Sequence, residues 1–370
     1  MSLKRIFIDA TGIVTTPTGL GKYSYYLLKA MLPKKNFHFT LIHQVDLPKS
    51  HLLFRLRNEN VDFVPVQIPV IGPKRDMGLF KLRREINQYD FFHCLSSYMP
   101  AFGINIPSVV TIHDLKYLLF PKFFDNRLKT LYYNWIVRRG VRKAKRVIAI
   151  SRATKKDLIA LGVPAEKITV IYESVTIPFK ETNLDSNLPD QISRIPYLLF
   201  VGENRPHKNI DRIIEAYRRL MDKLGEKCPS FVFAGSNFES IYQKDAGKEK
   251  SKKLIFLGPV SENILVNLYK HAIALVYPSL YEGFGLPILE AMAVGTPVIT
   301  SNCSSMPEVA GQAAILIDPQ SVDQLVDAMM RIVQDKEERK RFRQFGLRRF
   351  SEFSWEKTAH SIIELYEDIL

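Results

Sequence analysis

The chain reads as an α/β protein built from two parallel, doubly wound, Rossmann-like sheets in series. Three observations lead there. Short apolar runs alternate with helical patterns almost throughout. The alternation stops once, at a polar stretch bearing three prolines, and then restarts. The 370 residues exceed the range in which one hydrophobic core usually suffices. In the first half, strands are expected at 5–9, 39–42, 61–66, 91–95, 109–113 and 147–150. Helical patterns lie at 22–31, 79–87, 128–141 and 153–161, the last with Ser151 as N-cap. Such alternation favours a parallel sheet with crossover helices. Residues 176–196 (TIPFKETNLDSNLPDQISRIP) lack periodicity and read as an interdomain linker. Beyond it, strands are expected at 197–201, 230–234, 254–257, 273–277, 297–301 and 314–317. Helices fall at 210–224, 262–271, 287–294 and 322–334. Residues 240–253 are Lys-rich and read as an exposed loop; from 336 onward the pattern is helical, with a break at 353–354.

Hydrophobic content of 46% and charged content of 24% are those of soluble globular proteins, which excludes disordered and fibrous classes. Cys94, Cys228 and Cys303 are far apart and form no C-x-x-C pair, so neither a disulfide framework nor a zinc site is expected; a reducing cytosol fits. The apolar run before Asp9 is too short for a signal peptide, and no run approaches a membrane span. A cytoplasmic protein is expected, with peripheral contact to the inner face of the membrane as one reading of the net charge of +14. The cations concentrate in 74–84 (KRDMGLFKLRR) and 127–146 (RLKTLYYNWIVRRGVRKAKR), where they could dock on anionic lipid. Leu128, Leu131, Tyr132 and Trp135 have helical spacing and are expected to face the sheet.

The segment 281–300 (YEGFGLPILEAMAVGTPVIT) concentrates the chemistry. A strand ends at Pro278, a turn bearing Gly283 and Gly285 follows, and Pro287 opens a helix. A glycine turn into a helix N-terminus offers backbone N–H groups at the positive dipole end, which suits a phosphate. Glu282 and Glu290 flank the turn with seven residues between them, and both could accept hydrogen bonds from ligand hydroxyls. Glu290 lies in the apolar run LPILEAM, so its carboxylate needs a partner.

With its surroundings, PSLYEGFGLPILEAMAVGTPVITSNCSSMPEVAG resembles the signature of the retaining family 4, or group 1, glycosyltransferases of the GT-B fold, including their E-x7-E motif at Glu282 and Glu290. VGENRPHKNIDRIIEAY, LGPVSENILVNLYKHA and FSWEKTA resemble further parts of that family, so the resemblance covers nearly the whole chain. It implies an N-terminal acceptor-binding domain at 1–176, a linker at 177–196 and a nucleotide-sugar domain at 197–352. The two would face each other across a cleft, with a C-terminal helix at 353–370 returning to the first. It implies that Glu290 binds the donor ribose, Glu282 the transferred sugar, and Lys208 the diphosphate. The amides of Gly283, Phe284 and Gly285 would face the sugar and diphosphate. Arg205 is the nearest counterpart of a family arginine, with Glu203 standing where relatives place one. Val260 and Ser261 would border the nucleobase, though Ser261 reads equally as an N-cap. In the first half, Gly19 and Gly21 match a loop near the donor phosphate and the acceptor, and Lys22 stands where Arg is frequent. His113 would contact the donor sugar; Asp114 would orient it or shape the acceptor site.

The resemblance implies front-face displacement with retention, without a bound metal or other cofactor, the leaving diphosphate taking the acceptor's proton. Closure of the two domains would assemble the clamp. The co-substrate would be a GDP-, UDP- or dTDP-linked sugar, mannose-like by preference. The acceptor would be a saccharide or lipid-linked saccharide in bacterial surface polysaccharide assembly. A sugar-nucleotide 2-epimerase of the same fold is the alternative. A dehydrogenase would need G-x-G-x-x-G directly after the first strand, and no RRM, KH or zinc-knuckle pattern supports nucleic acid as a partner.

Overall fold

The computed structural model describes residues 3–15, 18–33, 36–100, 102–121, 127–176, 188–239, 241 and 253–370. The chain divides into two compact units, Met1–Ser174 with Ser354–Leu370, and Val175–Phe353. Linker residues 177–187 and all of the Lys-rich loop 240–253 except 241 and 253 lie outside the described residues.

The first unit runs β1 (Lys4–Asp9), α1 (Gly19–Met31), β2 (Phe37–Gln44), β3 (Val61–Val66), α2 (Pro73–Lys81), α3 (Arg83–Ile86), β4 (Phe91–Cys94), β5 (Ser108–Ile112), α4 (Lys116–Leu119), α5 (Arg127–Lys143), β6 (Arg146–Ala149), α6 (Arg152–Ala160) and β7 (Ile168–Val170). Its strands are all parallel in the order β3-β2-β1-β4-β5-β6-β7. The inner strands bear Val, Ile and Phe on both faces and are largely buried on both, as helix-covered parallel sheets require.

The second unit runs β8 (Tyr197–Val201), α7 (Ile210–Leu224), β9 (Ser230–Ala234), β10 (Leu254–Gly258), α8 (Glu262–His271), β11 (Ala274–Tyr277), α9 (Leu286–Ala293), β12 (Val298–Ser301), α10 (Met306–Ala310), β13 (Ile315–Ile317), α11 (Val322–Gln334) and α12 (Lys336–Phe350). Its sheet, also parallel, is ordered β10-β9-β8-β11-β12-β13. Phe200, Phe231, Phe233, Phe238 and Phe256 stack through its core with centroids 4.7–6.3 Å apart. Adjacent strand ends approach closely: a Cβ on Gly235 would lie 1.8 Å from the Gly202 carbonyl oxygen, so only glycine fits.

The last helix, α13 (Trp355–Ile369), belongs to the first unit. Ser354 caps it by accepting from the Lys357 amide at 3.2 Å. Trp355 stacks on Tyr26 at 6.0 Å and meets Tyr23 edge-on at 5.7 Å. Tyr366 is fully buried between Phe37 and Phe91 and hydrogen-bonds His93. Burial of each such ring contributes on the order of 2 kcal/mol.

Three sequence expectations are corrected. The helix expected at 79–87 begins six residues earlier, at Pro73, because Gly72 in the left-handed region (φ +112°) and Pro at the first turn start it there; it breaks at Leu82 into α2 and α3. The short edge strand β7 was not expected. The third concerns α5. Leu128, Leu131 and Trp135 do not face the sheet: they are 74%, 64% and 44% exposed. The buried stripe is Tyr133, Ile136, Val137, Gly140 and Val141. Both stripes have helical spacing, but only the second contains Gly140, where a Cβ would stand 3.1 Å from that of Met99. The missing side chain lets that face approach its neighbour.

Candidate active site

In the second unit the chain leaves β8 toward β9 and β10, then returns to lay β11 on the other side of β8. The crevice outside the carboxyl ends of β8 and β11 is therefore a switch point, where open α/β sheets bind ligands. The loop after β8 holds Lys208 and the loop after β11 holds Glu282. They meet there, Lys208 Nζ lying 2.6 Å from Glu282 Oε1. Their side chains are only 14% and 13% exposed.

Tyr277, the last residue of β11, donates its hydroxyl to the same Glu282 oxygen at 2.9 Å. Its hydroxyl also bonds Lys208, whose Nζ lies 4.7 Å from the Tyr277 ring centroid. Burial alone would raise the Glu282 carboxyl. The Lys208 ammonium, helped by His207 and by hydrogen bonds, outweighs burial and holds Glu282 below its ordinary value. Glu282 thus stays ionised in a mostly buried site. Asn209, in the left-handed region at φ +64°, fixes the Lys208 loop by donating to the carbonyls of Pro278 (3.0 Å) and Pro319 (2.7 Å).

The glycine turn is held from behind. Ser304 and Ser305 donate to the Glu282 carbonyl at 2.7 and 3.0 Å, and Ser305 also donates to that of Phe284 at 2.8 Å. A trans peptide sets its N–H opposite its C=O. The amides of Gly283 and Gly285 therefore point away from the serines. Gly285 adopts φ +105° and precedes α9, with Pro287 in the first turn. One turn on, Glu290 accepts from the Tyr269 hydroxyl at 2.7 Å, the partner its apolar setting demanded. Arg205 does not join Lys208 in the same way: it pairs with Glu203 at 2.9 Å, and both are substantially exposed. Ser261 caps α8, accepting from the Ile264 amide at 3.4 Å, and Val260 precedes it after β10.

In the first unit, Thr18 caps α1 by accepting from the Gly21 amide at 3.0 Å, so Gly19 and Gly21 lie in the first helical turn with Lys22 beside them. A Cβ on Gly19 would meet nothing within 4 Å, whereas one on Gly21 would press on the Gly12 carbonyl at 3.3 Å. His113 follows β5, its ring edge-on to Tyr23 at 4.5 Å. Its Nε2 lies 2.9 Å from the Leu95 carbonyl, which can only accept, so Nε2 bears the proton. Burial lowers the imidazole pKa despite the opposing pull of that carbonyl and Asp114, leaving Nδ1 as an acceptor. Asp114 engages Lys116 rather than orienting His113: its Oδ1 accepts the Lys116 amide at 3.1 Å, and its Oδ2 the ammonium at 3.0 Å.

Several site residues were missed by sequence reasoning. Tyr269 and Tyr277 fall in the helix and strand expected at 262–271 and 273–277 but were not singled out; the signal that could have found Tyr277 is its place at a strand end, five residues before Glu282. Glu173 gave no signal at all. It is 4% exposed beyond β7, and burial, reinforced by Asp114, pushes its carboxyl up to about 8. The folded chain therefore holds an extra proton between about 4.5 and about 8. This contribution to stability is full below the lower value and lost as pH rises through the upper. Glu173→Gln is expected to flatten that fall; parallel melting-versus-pH curves for the variant and the parent protein would contradict the assignment.

Residues 190–349 match the family of glycosyl transferases group 1, and residues 17–177 match glycosyltransferase family 4. The chain is 30% identical to O-antigen chain mannosyltransferase B of Escherichia coli over 70% of each chain. It is 34% identical to O-antigen chain mannosyltransferase RfbU of Salmonella typhimurium over 60% of this chain and 62% of that one. Among solved structures, sucrose-phosphate synthase from Thermosynechococcus elongatus superposes with a TM-score of 0.75 at 20% identity, covering 99% of this chain and 98% of that one. Anabaena HepE, solved with UDP and glucose, superposes with a TM-score of 0.73 at 19% identity, covering 99% and 100%. From these matches and the two parallel sheets, the chain belongs to the group 1 glycosyltransferases, on the GT-B fold.

Proposed function

We propose that the protein is a retaining, metal-independent transferase that moves a mannose-like sugar from a nucleotide-diphosphate sugar to a saccharide or lipid-linked saccharide acceptor. The setting would be bacterial surface polysaccharide assembly at the cytoplasmic face of a membrane. The observation that supports it most is the Lys208–Glu282–Tyr277 contact at the carboxyl ends of β8 and β11. The mannosyltransferase relatives support the sugar and favour transfer over the epimerase reading.

In this proposal, the acceptor oxygen bonds the anomeric carbon on the face from which the phosphate oxygen departs. The departing oxygen takes the acceptor's proton. Lys208 and the Gly283–Gly285 turn, with Arg205 as an outer cation, stabilise the charge that develops on the diphosphate. Glu282, ionised, accepts from sugar hydroxyls, and neutral His113 offers Nδ1 for the same purpose. Glu290 takes the ribose hydroxyls; the backbone at Val260 and Ser261 borders the base. The glycines of the α1 turn, with Lys22, serve the phosphate and acceptor side, next to Asp114.

A thermal-shift series with UDP, GDP, dTDP and ADP tests the reading. Ligand at about 100 times its Kd stabilises by about 2.7 kcal/mol, so one nucleotide is expected to raise the melting temperature by several degrees, with EDTA making no difference. No shift with any of the four would defeat the donor assignment. An inverted anomer in the product would defeat retention, and activity lost in EDTA but restored by manganese would defeat metal independence.

A further inference from the structure

Resting on the donor roles given above to Lys208 and Glu282, we propose that their pairing penalises a bare nucleoside diphosphate relative to the intact sugar nucleotide, with Tyr277 as the positioning residue that holds the pair. The two groups assigned to different parts of the donor are bonded to each other, Nζ to Oε1 at 2.6 Å. A diphosphate that takes Lys208 therefore takes it from Glu282. What Glu282 receives in exchange depends on the ligand. The intact donor brings sugar hydroxyls, which donate to the carboxylate. The bare diphosphate brings none, and its terminal phosphate carries one more negative charge. Glu282 then loses its cation and faces an added anion, in a place where burial already disfavours its charge.

The backbone lets side chains alone make this exchange. The Lys208 and Glu282 loops are tied together by contacts outside the pair: the Leu280 amide donates to the His207 carbonyl at 2.7 Å, and the Asn209 side chain to the Pro278 carbonyl at 3.0 Å. Ser304 accepts the Glu282 amide at 3.2 Å and donates to its carbonyl. Lys208 is thus a long arm on a fixed base. Tyr277 is fully buried, its ring stacked on Phe200 with centroids 6.1 Å apart and planes at 23°. Burial, and then the Glu282 charge, hold its hydroxyl pKa well above the ordinary tyrosine value. The hydroxyl therefore keeps its proton, donates it to Glu282 Oε1 at 2.9 Å, and accepts from Lys208. One hydroxyl sets both partners at the same carboxylate oxygen. When Lys208 turns to a phosphate, Tyr277 stays on Glu282. Once the sugar has left, the pair re-forms at the expense of the remaining diphosphate, which hastens product release.

The test titrates the full chain by calorimetry, without acceptor. The ligands are UDP, GDP, dTDP and ADP, and beside them UDP-glucose, GDP-mannose, dTDP-glucose and ADP-glucose; the couple that binds the parent most tightly is carried forward. Glu282→Gln keeps the side-chain volume and removes the carboxylate from Lys208. It is expected to tighten the bare diphosphate about tenfold or more, because binding no longer breaks a charge-assisted bond. The sugar nucleotide, which loses its carboxylate acceptor, is expected to gain less or to weaken. Tyr277→Phe keeps the ring on Phe200 and is expected to move the ratio of the two dissociation constants the same way by a smaller factor. Added to Glu282→Gln, it is expected to move the ratio no further, since Tyr277 acts through the pair. Melting temperatures check the folding of each variant, and Tyr277→Phe carries the test if Glu282→Gln does not fold. Unchanged or weaker binding of the bare diphosphate by Glu282→Gln would overturn the proposal. So would an equal gain for both ligands, or a Tyr277→Phe that weakens both alike, as a scaffold role predicts. Each of these outcomes leaves nucleotide binding by the parent intact, whereas a folded parent that binds none of the eight ligands overturns the transferase reading as well.

Discussion

Replacing Lys208 by Ala is expected to lower sugar transfer by about 10²–10³-fold with the fold intact, the loss falling on kcat. Two effects add. In the proposed mechanism, the developing charge on the leaving diphosphate loses its cation. Glu282 also loses the ammonium 2.6 Å away that offsets its burial, so its carboxyl shifts upward toward the protonated form and ceases to be a pure acceptor. Lys208→Arg is not expected to restore activity, since a planar fork does not replace a point charge in a pocket shared with the Tyr277 ring. Full turnover by purified Lys208→Ala would remove the diphosphate role. The companion Glu290→Ala removes the carboxylate proposed to take the ribose hydroxyls, together with the acceptor of the Tyr269 hydroxyl, and is expected to abolish saturation by donor.

The largest expected stability effect lies in the first unit. Arg75 is 1% exposed, and its guanidinium bonds Asp9 and the Tyr98 carbonyl, with Cys94 Sγ at 3.6 Å. Asp9 in turn accepts from the amide and hydroxyl of Thr11 at 3.1 and 2.6 Å. The pair fills the carboxyl ends of β1 and β4, the switch point of the first sheet. Arg75→Met would strand a buried carboxylate, at a cost of about 3–5 kcal/mol. For a unit of this size, that lowers the melting temperature by on the order of 10 °C. Adding Asp9→Asn should recover much of the loss, because Asn still accepts from Thr11 but bears no charge. A single variant that melts like the parent, or a double variant no better than the single, would show that the ion pair does not hold this loop.

Features written locally were legible in the sequence. Ser151 and Ser261 cap the helices they were expected to cap, because a cap needs only its own hydroxyl and an amide three residues on. The alternation of β8 to β13 with their helices was legible because fully buried parallel strands are continuous apolar runs. What failed depended on the tertiary neighbourhood. Which of two apolar stripes of α5 meets the sheet is settled by Gly140 against Met99, a contact 41 residues apart in sequence. Arg75 sits in a basic run whose charges were read as available to anionic lipid, and hydropathy cannot single out the one that finds Asp9. Glu173 is invisible for the same reason: burial is not a property of its own segment. The site itself was half legible. Glu282, Glu290 and Lys208 announced themselves by motif, but the tyrosines that position the two carboxylates did not.

The placement of α13 also sets an order of assembly. During synthesis, the first 174 residues emerge without the helix that supplies Trp355 and Tyr366 to their core. The second unit emerges next with all of its strands in one continuous stretch. It can therefore finish folding first, while its predecessor waits with the seat of Tyr366, between Phe37 and Phe91, open to water. Translation that stops short of α13 would leave a sound second unit tethered to an aggregation-prone first one.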